Sequence, residues 1–240
     1  MKNLFLILLS LTLTQCANGQ FYRENIKGNG KTTEHTITVS DYDAVSIAGN
    51  FDVELYQATE GKLDFIIEAN LIEYLDVRVE NDKLIIEWDN DYNIRNANDV
   101  IVKIPVTAIS KISLAGSTKL VSKNKFKFDK FDLSVAGSGN ILFDIDTNDL
   151  RVSLAGSTHT VMNGFAENAS ISVAGSGDFK GFELITNHLK ASVAGSGEME
   201  IYAKESLKAS VAGSGSILYK GNPKEDKISV AGSGRIKMWN

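Results

Sequence analysis

The stretch LSVAGSGNILF, Leu133 to Phe143, decides the fold. Its apolar residues recur at every second position, which is the period of a strand, and its glycines disfavour helix. The tripeptide Ala-Gly-Ser begins at Ala115, Ala136, Ala155, Ala174, Ala194, Ala212 and Ala231, with spacings of 21, 19, 19, 20, 18 and 19 residues. A degenerate eighth copy, Ile47-Ala48-Gly49-Asn50, lies inside SIAGNFDVELY. Self-similarity at this period marks a fold built by stacking like on like.

Repeats of 18–21 residues have room for two short strands and two turns, which is one coil of a parallel β-solenoid. Pro occurs only at Pro105 and Pro223, so little interrupts the strands. Leucine-rich repeats have a similar period but need a Leu/Asn pattern that is absent. A propeller blade needs roughly 40 residues. The expected class is therefore all-β, with coils of about 19 residues.

Aligning the copies on Ala gives columns. Three before it stand Ile112, Leu133, Val152, Ile171, Ala191, Ala209 and Ile228; one before it, Leu114, Val135, Leu154, Val173, Val193, Val211 and Val230. Five after it come Leu120, Ile141, Thr160, Phe179, Met199, Ile217 and Ile236. These share one parity and are expected to point inward. Ser fills the columns two before and two after the Ala. The Gly after Ala, and the Gly two further on (Thr118 and Thr158 in two copies), fall on the inward parity. They imply a close approach of backbone or, the preferred reading, a corner with positive φ. Four after the Ala lies a variable outward row: Lys119, Asn140, His159, Asp178, Glu198, Ser216 and Arg235. This row is the candidate interaction surface.

Residues 40–110 lack the tetrapeptide but keep strand patterns, and Ile47, Ile66, Ile85 and Ile104 are each 19 apart. They are read as irregular coils of the same period, followed by seven regular coils over 111–240. Together, 40–240 form a single domain. Residues 20–39, polar and Gly-bearing, read as leader or linker.

The first 19 residues read as an export signal. Met1-Lys2-Asn3 is a positive n-region, and Leu4 to Thr14 is an apolar run too short to span a bilayer. Ala17-Asn18-Gly19 offers cleavage before Gln20. Alternatively, LTQC places Cys16 as a lipid-bearing residue, although Gln15 suits that box poorly. The protein is expected in the periplasm, on the outer-membrane surface or secreted, with no transmembrane helix in the mature chain.

IKGNGKTTEHTITVSDYDAVSIAGNFDVELYQ (26–57), VRVENDKLIIEW (77–88), VIVKIPVTAISKISLAGS (100–117) and the SVAGSG segments together resemble the putative auto-transporter adhesin, head GIN domain family. The resemblance covers about residues 26–225. It implies a right-handed parallel β-helix and an exported adhesin, and it carries no catalytic residues.

Composition and motifs exclude much chemistry. One Cys rules out a disulfide framework and a multi-thiolate zinc site, and three His leave little for a histidine cluster. The net charge of −5 gives no footprint for nucleic acid. Ala-Gly-Ser-Gly is not the Gly-x-Ser-x-Gly elbow of a hydrolase, and an active site does not occur seven times. Gly28-Asn29-Gly30-Lys31 lacks the spacing of a phosphate loop and reads as a turn. Asp89–Asn93 and Asp144–Asp149 open like calcium loops but lack the Gly and Glu such loops need, so both read as solvated turns. The Ser columns include no threonine row of the ice-binding kind. No cofactor or metal is expected.

The reading is an exported, non-enzymatic β-helix acting as an adhesin or cell-surface binding module for an unidentified glycan or protein. Two alternatives remain: a carbohydrate-active enzyme, which needs clustered carboxylates in a groove, and a purely structural envelope protein. Tyr42, Tyr56 and Tyr92 are candidate exposed aromatics. The last copy ends near Trp239, which with Met238 could cover the final coil. An uncovered edge would pair with a second copy.

Overall fold

The computed structural model describes residues 23–239. Among them the protein is all-β, with a 3-10 turn at Ile72–Tyr74 and no α-helix. The signal segment, Cys16 and both processing readings lie outside the described residues.

The strands are β1 (Glu24–Lys27), β2 (Thr32–Thr38), β3 (Ala44–Gln57), β4 (Lys62–Glu68), β5 (Leu75–Glu80), β6 (Lys83–Trp88), β7 (Tyr92–Arg95) and β8 (Ile101–Val106). They continue with β9 (Lys111–Ser122), β10 (Phe126–Gly175), β11 (Asp178–Gly195), β12 (Glu198–Gly213), β13 (Ser216–Lys220), β14 (Glu225–Gly232) and β15 (Arg235–Met238). From β9 onward, each strand pairs parallel with the equivalent residues of the preceding repeat. Ala136 pairs with Ala115, Ala174 with Ala194, Ala194 with Ala212 and Ala212 with Ala231.

Identical sequences therefore lie on one another in register, and the inward columns become continuous apolar stacks. Ile112, Leu133, Val152, Ile171, Ala191 and Ala209 are all buried, as are the partners one before each Ala from Leu114 to Val211. Each such Val, Leu or Ile side chain contributes roughly 1.5–3 kcal/mol. The stack ends at β14, where Ile228 and Val230 are 45% and 43% exposed. Met238 is exposed as well, and Trp239 leans on Phe182 with ring centroids 5.8 Å apart instead of covering that edge.

The glycine after each Ala sits at a corner, as expected: Gly116, Gly137, Gly156, Gly175, Gly195, Gly213 and Gly232 all have φ between +104° and +126°. The corner also corrects the parity. Ala, Gly and Ser of each tripeptide are exposed, so this glycine does not face inward. The glycine two further on has no positive φ. It is needed because the backbone below is close: a Cβ at Gly215 would lie 2.5 Å from the Gly197 carbonyl oxygen. Thr118 and Thr158 occupy this column as buried residues.

The N-terminal half departs from the expected 19-residue stacking. The degenerate copy is real, with Ala48 paired to Ala115, Gly49 to Gly116 and Asn50 to Ser117. However, β3 lies directly beneath β9, although a long excursion separates them in the chain. The other edge of β3 is covered by β6 and β8. Ile47, Ile66, Ile85 and Ile104 therefore do not form a column. Ile85 pairs with Ser46, Ile104 with Leu55, and Ile66 with Glu34. The reason is antiparallel pairing. The β5–β6 hairpin turns at Asn81 and Asp82, both with positive φ, and β4 runs antiparallel to β2 and β8. The excursion thus covers the first strand edge of the ladder.

The stretch read as leader or linker is also structured. Within it, β1 pairs parallel with β7, and β2 pairs with β4. Asp144–Asp149, read as a solvated turn, lies inside β10.

Candidate functional site

The variable row forms one edge of the ladder. Asn140 pairs with Lys119, and His159, Asp178, Glu198, Ser216 and Arg235 follow one another in register. Ser216 interrupts the row, being buried where its neighbours are partly or fully exposed. The row has a member the repeat count missed: Asp52, paired with Lys119 and 3.4 Å from its Nζ. The signal was present, since Asp52 stands four residues after Ala48. His159 Nδ1 lies 3.8 Å from Asp178 Oδ2. These contacts are exposed and contribute little to stability, so the row presents mixed charge to solvent.

The Ser-x-Ala columns make a shallow trough of about 480 Å3 across five copies, from Ser46 and Ala48 to Ser172 and Ala174. Small side chains on every strand leave this depression. Ser172 Oγ bridges to the Val152 carbonyl and to Ser153 Oγ, at 3.3 and 3.4 Å. Leu114, Val135 and Leu154 contribute to the floor.

At the next corner an open groove of about 520 Å3 runs over Phe131, Leu150 and Ala169, flanked by Lys130, Asp132, Asp149 and Arg151. Here two carboxylates do share a groove, the feature the enzyme alternative asks for. Each is already engaged locally: Asp132 accepts from the Ser134 hydroxyl at 3.1 Å, and Asp149 from the Asn168 amide at 3.1 Å.

A third cavity, about 220 Å3, lies beside the first repeat and is lined by Trp88 and Tyr92 together with polar residues. It touches Ala48, which also lines the trough. Sequence reading missed Trp88 here and misjudged Tyr42. Tyr42 is 2% exposed, its hydroxyl donates to the Pro105 carbonyl, and burial pushes its phenol well above the ordinary range. Tyr56 and Tyr92 are half-buried.

The acidic turn Asp89–Asn93 closes on itself, with Asp91 N–H donating to Asp89 Oδ1 at 3.0 Å. Among the described residues no group of three or more His, Cys, Asp or Glu is placed to hold a metal ion. No helix among them is long and apolar enough to cross a membrane.

A family model described as putative auto-transporter adhesin, head GIN domain, matches residues 41–223. Among curated proteins none matches the chain. A crystal structure of a putative adhesin from Bacteroides fragilis is similar at 25% identity and a TM-score of 0.82, covering 89% of this chain and 100% of that one. A putative lipid binding protein from Parabacteroides distasonis shares 30% identity with a TM-score of 0.76, covering 90% and 100%. A putative adhesin from the same species shares the fold at 24% identity and a TM-score of 0.69, again covering 90% and 100%.

Proposed function

The chain belongs to the putative auto-transporter adhesin, head GIN domain family, and from that premise we propose that it is an exported, non-enzymatic binding module of the cell envelope or surface. The observation that carries this reading is the in-register outer face. Ser-x-Ala columns, a trough of about 480 Å3 and a charged row run in parallel over successive repeats. Such a face offers many equivalent weak contacts in line, which suits an extended ligand better than a single reacting centre.

The reading includes the winding. Parallel partners 17–21 residues apart, with a positive-φ corner in every repeat, support a right-handed parallel β-helix. Crossovers between parallel strands take that hand almost without exception. A lipid-binding role is the second reading. The description of the Parabacteroides distasonis relative supports it.

The test has two arms. Protease shaving of intact producing cells is expected to remove the protein, and beads coated with the processed protein are expected to be retained on intact cells or purified surface polysaccharide. Beads that are not retained, or a polysaccharide that is cleaved, would overturn the binding-module reading. Retention competed by phospholipid vesicles and not by polysaccharide would favour the lipid reading.

A further inference from the structure

The cavity beside the first repeat has the composition of a sugar site. Trp88 ends β6, Tyr92 begins β7, and the turn between them supplies Asp89 and Asn90. Asn93 on β7 and Arg23, just before β1, complete the wall. We propose that this cup binds a single uncharged hexose unit of a surface glycan, an inference that rests on the binding-module reading above.

Size sets the scale. About 220 Å3 equals the bulk volume of roughly seven water molecules. That suits one sugar ring better than a disaccharide or a peptide segment. The chemistry sets the class. The wall is mainly polar: Asn90, Asn93 and Asp89 offer planar donors and acceptors to sugar hydroxyls, and Trp88 and Tyr92 add a small apolar patch for ring C–H groups. The charge balance sets the sign. Glu87, also in the wall, shares Arg78 with Asp76 and Glu80, so Arg23 faces both Glu87 and Asp89 and the cup carries a surplus of negative charge. An acidic cup repels an anionic sugar and leaves a neutral polyol as the favoured ligand.

The cup is also organised before any ligand arrives. One face of Trp88 lies on Phe51, with centroids 5.3 Å apart, and its Nε1–H donates to Asn50 Oδ1 at 3.1 Å. The turn is closed by Tyr92 N–H to the Asp89 carbonyl at 3.2 Å and anchored by Asp89 N–H to the Tyr74 carbonyl at 2.9 Å. Pairing of β1 with β7 sets Glu24 beside Tyr92 and so brings the adjoining Arg23 to the cup. Groups fixed in this way lose little entropy on binding.

The experiment uses the processed protein carrying Trp239→Phe, which leaves Trp88 as its only tryptophan. Trp88 fluorescence is titrated with glucose, galactose, mannose, N-acetylglucosamine and glucuronate. At least one neutral hexose is expected to shift the emission with a millimolar dissociation constant, the range open to a ligand of about a dozen non-hydrogen atoms. Asn90→Ala and Arg23→Ala, both at exposed positions, are each expected to weaken binding about tenfold with an unchanged melting temperature. No response across the panel, preferential binding of glucuronate, or full affinity in both variants would overturn the proposal. The bead assay separates the two readings. Wild-type retention without any hexose response would sink the cup alone, and loss of both would sink the binding-module reading with it.

Discussion

Asn163 donates its side-chain amide to the Asp144 carboxylate across 2.7 Å, from 19 residues further along the chain. Asn148 to Asp129 and Asn168 to Asp149 repeat the arrangement at the same separation, and Asn187 reaches Glu167 at 20. Amide-to-carboxylate rungs therefore tie successive repeats together outside the apolar stack. Asn163→Ala removes one rung and is expected to cost about 1 kcal/mol at any pH. Asn163→Asp sets two carboxylates against each other and costs more at pH 7. Its penalty is expected to shrink below about pH 5, where the pair shares a proton. Urea unfolding of both variants at pH 7 and pH 4.5 checks this, and equal penalties at both pH values for the Asp variant would refute it.

Two glycines with positive φ should behave very differently when a methyl is added. Gly137 has φ +126°, and its Cβ would collide with the Gly116 carbonyl of the repeat below. Gly30 has φ +74° but nothing within 4 Å of the added carbon. Gly137→Ala is expected to destabilise by roughly 3 kcal/mol or more, since both backbone strain and a rigid contact oppose it. Gly30→Ala should cost only the left-handed conformation, about 1 kcal/mol. Thermal melts of the two variants give the comparison directly, and similar losses would mean that the stacked carbonyl is not the constraint.

The regular half of the fold was legible because like residues stack on like. Ser134 on Ser113 and Ala136 on Ala115 are the same pairing seen first as sequence columns. Residues 58–110 were not, because antiparallel pairs set their register through turns. Nothing in the spacing of Ile66 and Ile85 reveals that one lies against β2 and the other against β3. One signal was available there: Asn81-Asp82 between alternating runs is a hairpin sequence, and both residues take positive φ. The charged row was legible by the same column rule, down to Asp52. The Trp88 cup was not, because it depends on β1 and β7 meeting across a distance no local pattern encodes.

Glu68 is a buried carboxylate that holds two turns together. It is 1% exposed and accepts from Ala97 N–H and Asn98 N–H at 2.8 Å each, Asn98 Nδ2 at 3.0 Å and Gly30 N–H at 3.3 Å. Burial alone would raise its pKa; the backbone donors of Asn98, Gly30 and Ala97 outweigh it and hold the carboxyl below the ordinary value. A depressed folded pKa stabilises the protein above the unfolded value of about 4.3, and that stabilisation is lost as pH falls through the folded value. Glu68→Gln should therefore lower the melting temperature at pH 7, with the gap to wild type closing as the pH drops below about 4. A gap that persists unchanged at pH 3 would count against the ionised carboxylate as the source.

Thr160 occupies an inward column otherwise filled by Leu120, Ile141, Phe179, Met199 and Ile217. It is fully buried, and its hydroxyl has no hydrogen-bond partner among the described residues. An unsatisfied buried hydroxyl costs about 1–3 kcal/mol, and valine has the same shape without it. Thr160→Val is expected to raise the melting temperature by a few degrees. A neutral or destabilising result would show that the hydroxyl is satisfied in solution.

If the repeats wind as a β-helix, each one contacts only its neighbours, and stability is close to a sum over repeats and interfaces. Removing residues 175–194 joins Ala174 to Gly195 and restores the reading ISVAGSGEME. The new neighbours keep equivalent residues in register, with Val173 and Val211 on the inward side of adjoining repeats and the Gly corner intact. The shortened protein is expected to fold cooperatively, with the far-ultraviolet spectrum of a β protein and a urea slope reduced in proportion to the surface removed. A deletion of half that length, residues 175–184, removes the positive-φ Gly corner and puts Asn187 in the column of Gly177, where the backbone below leaves no room, and should not fold. If both deletions fail alike, the stacking unit is not the repeat, and the winding proposed for the chain is wrong.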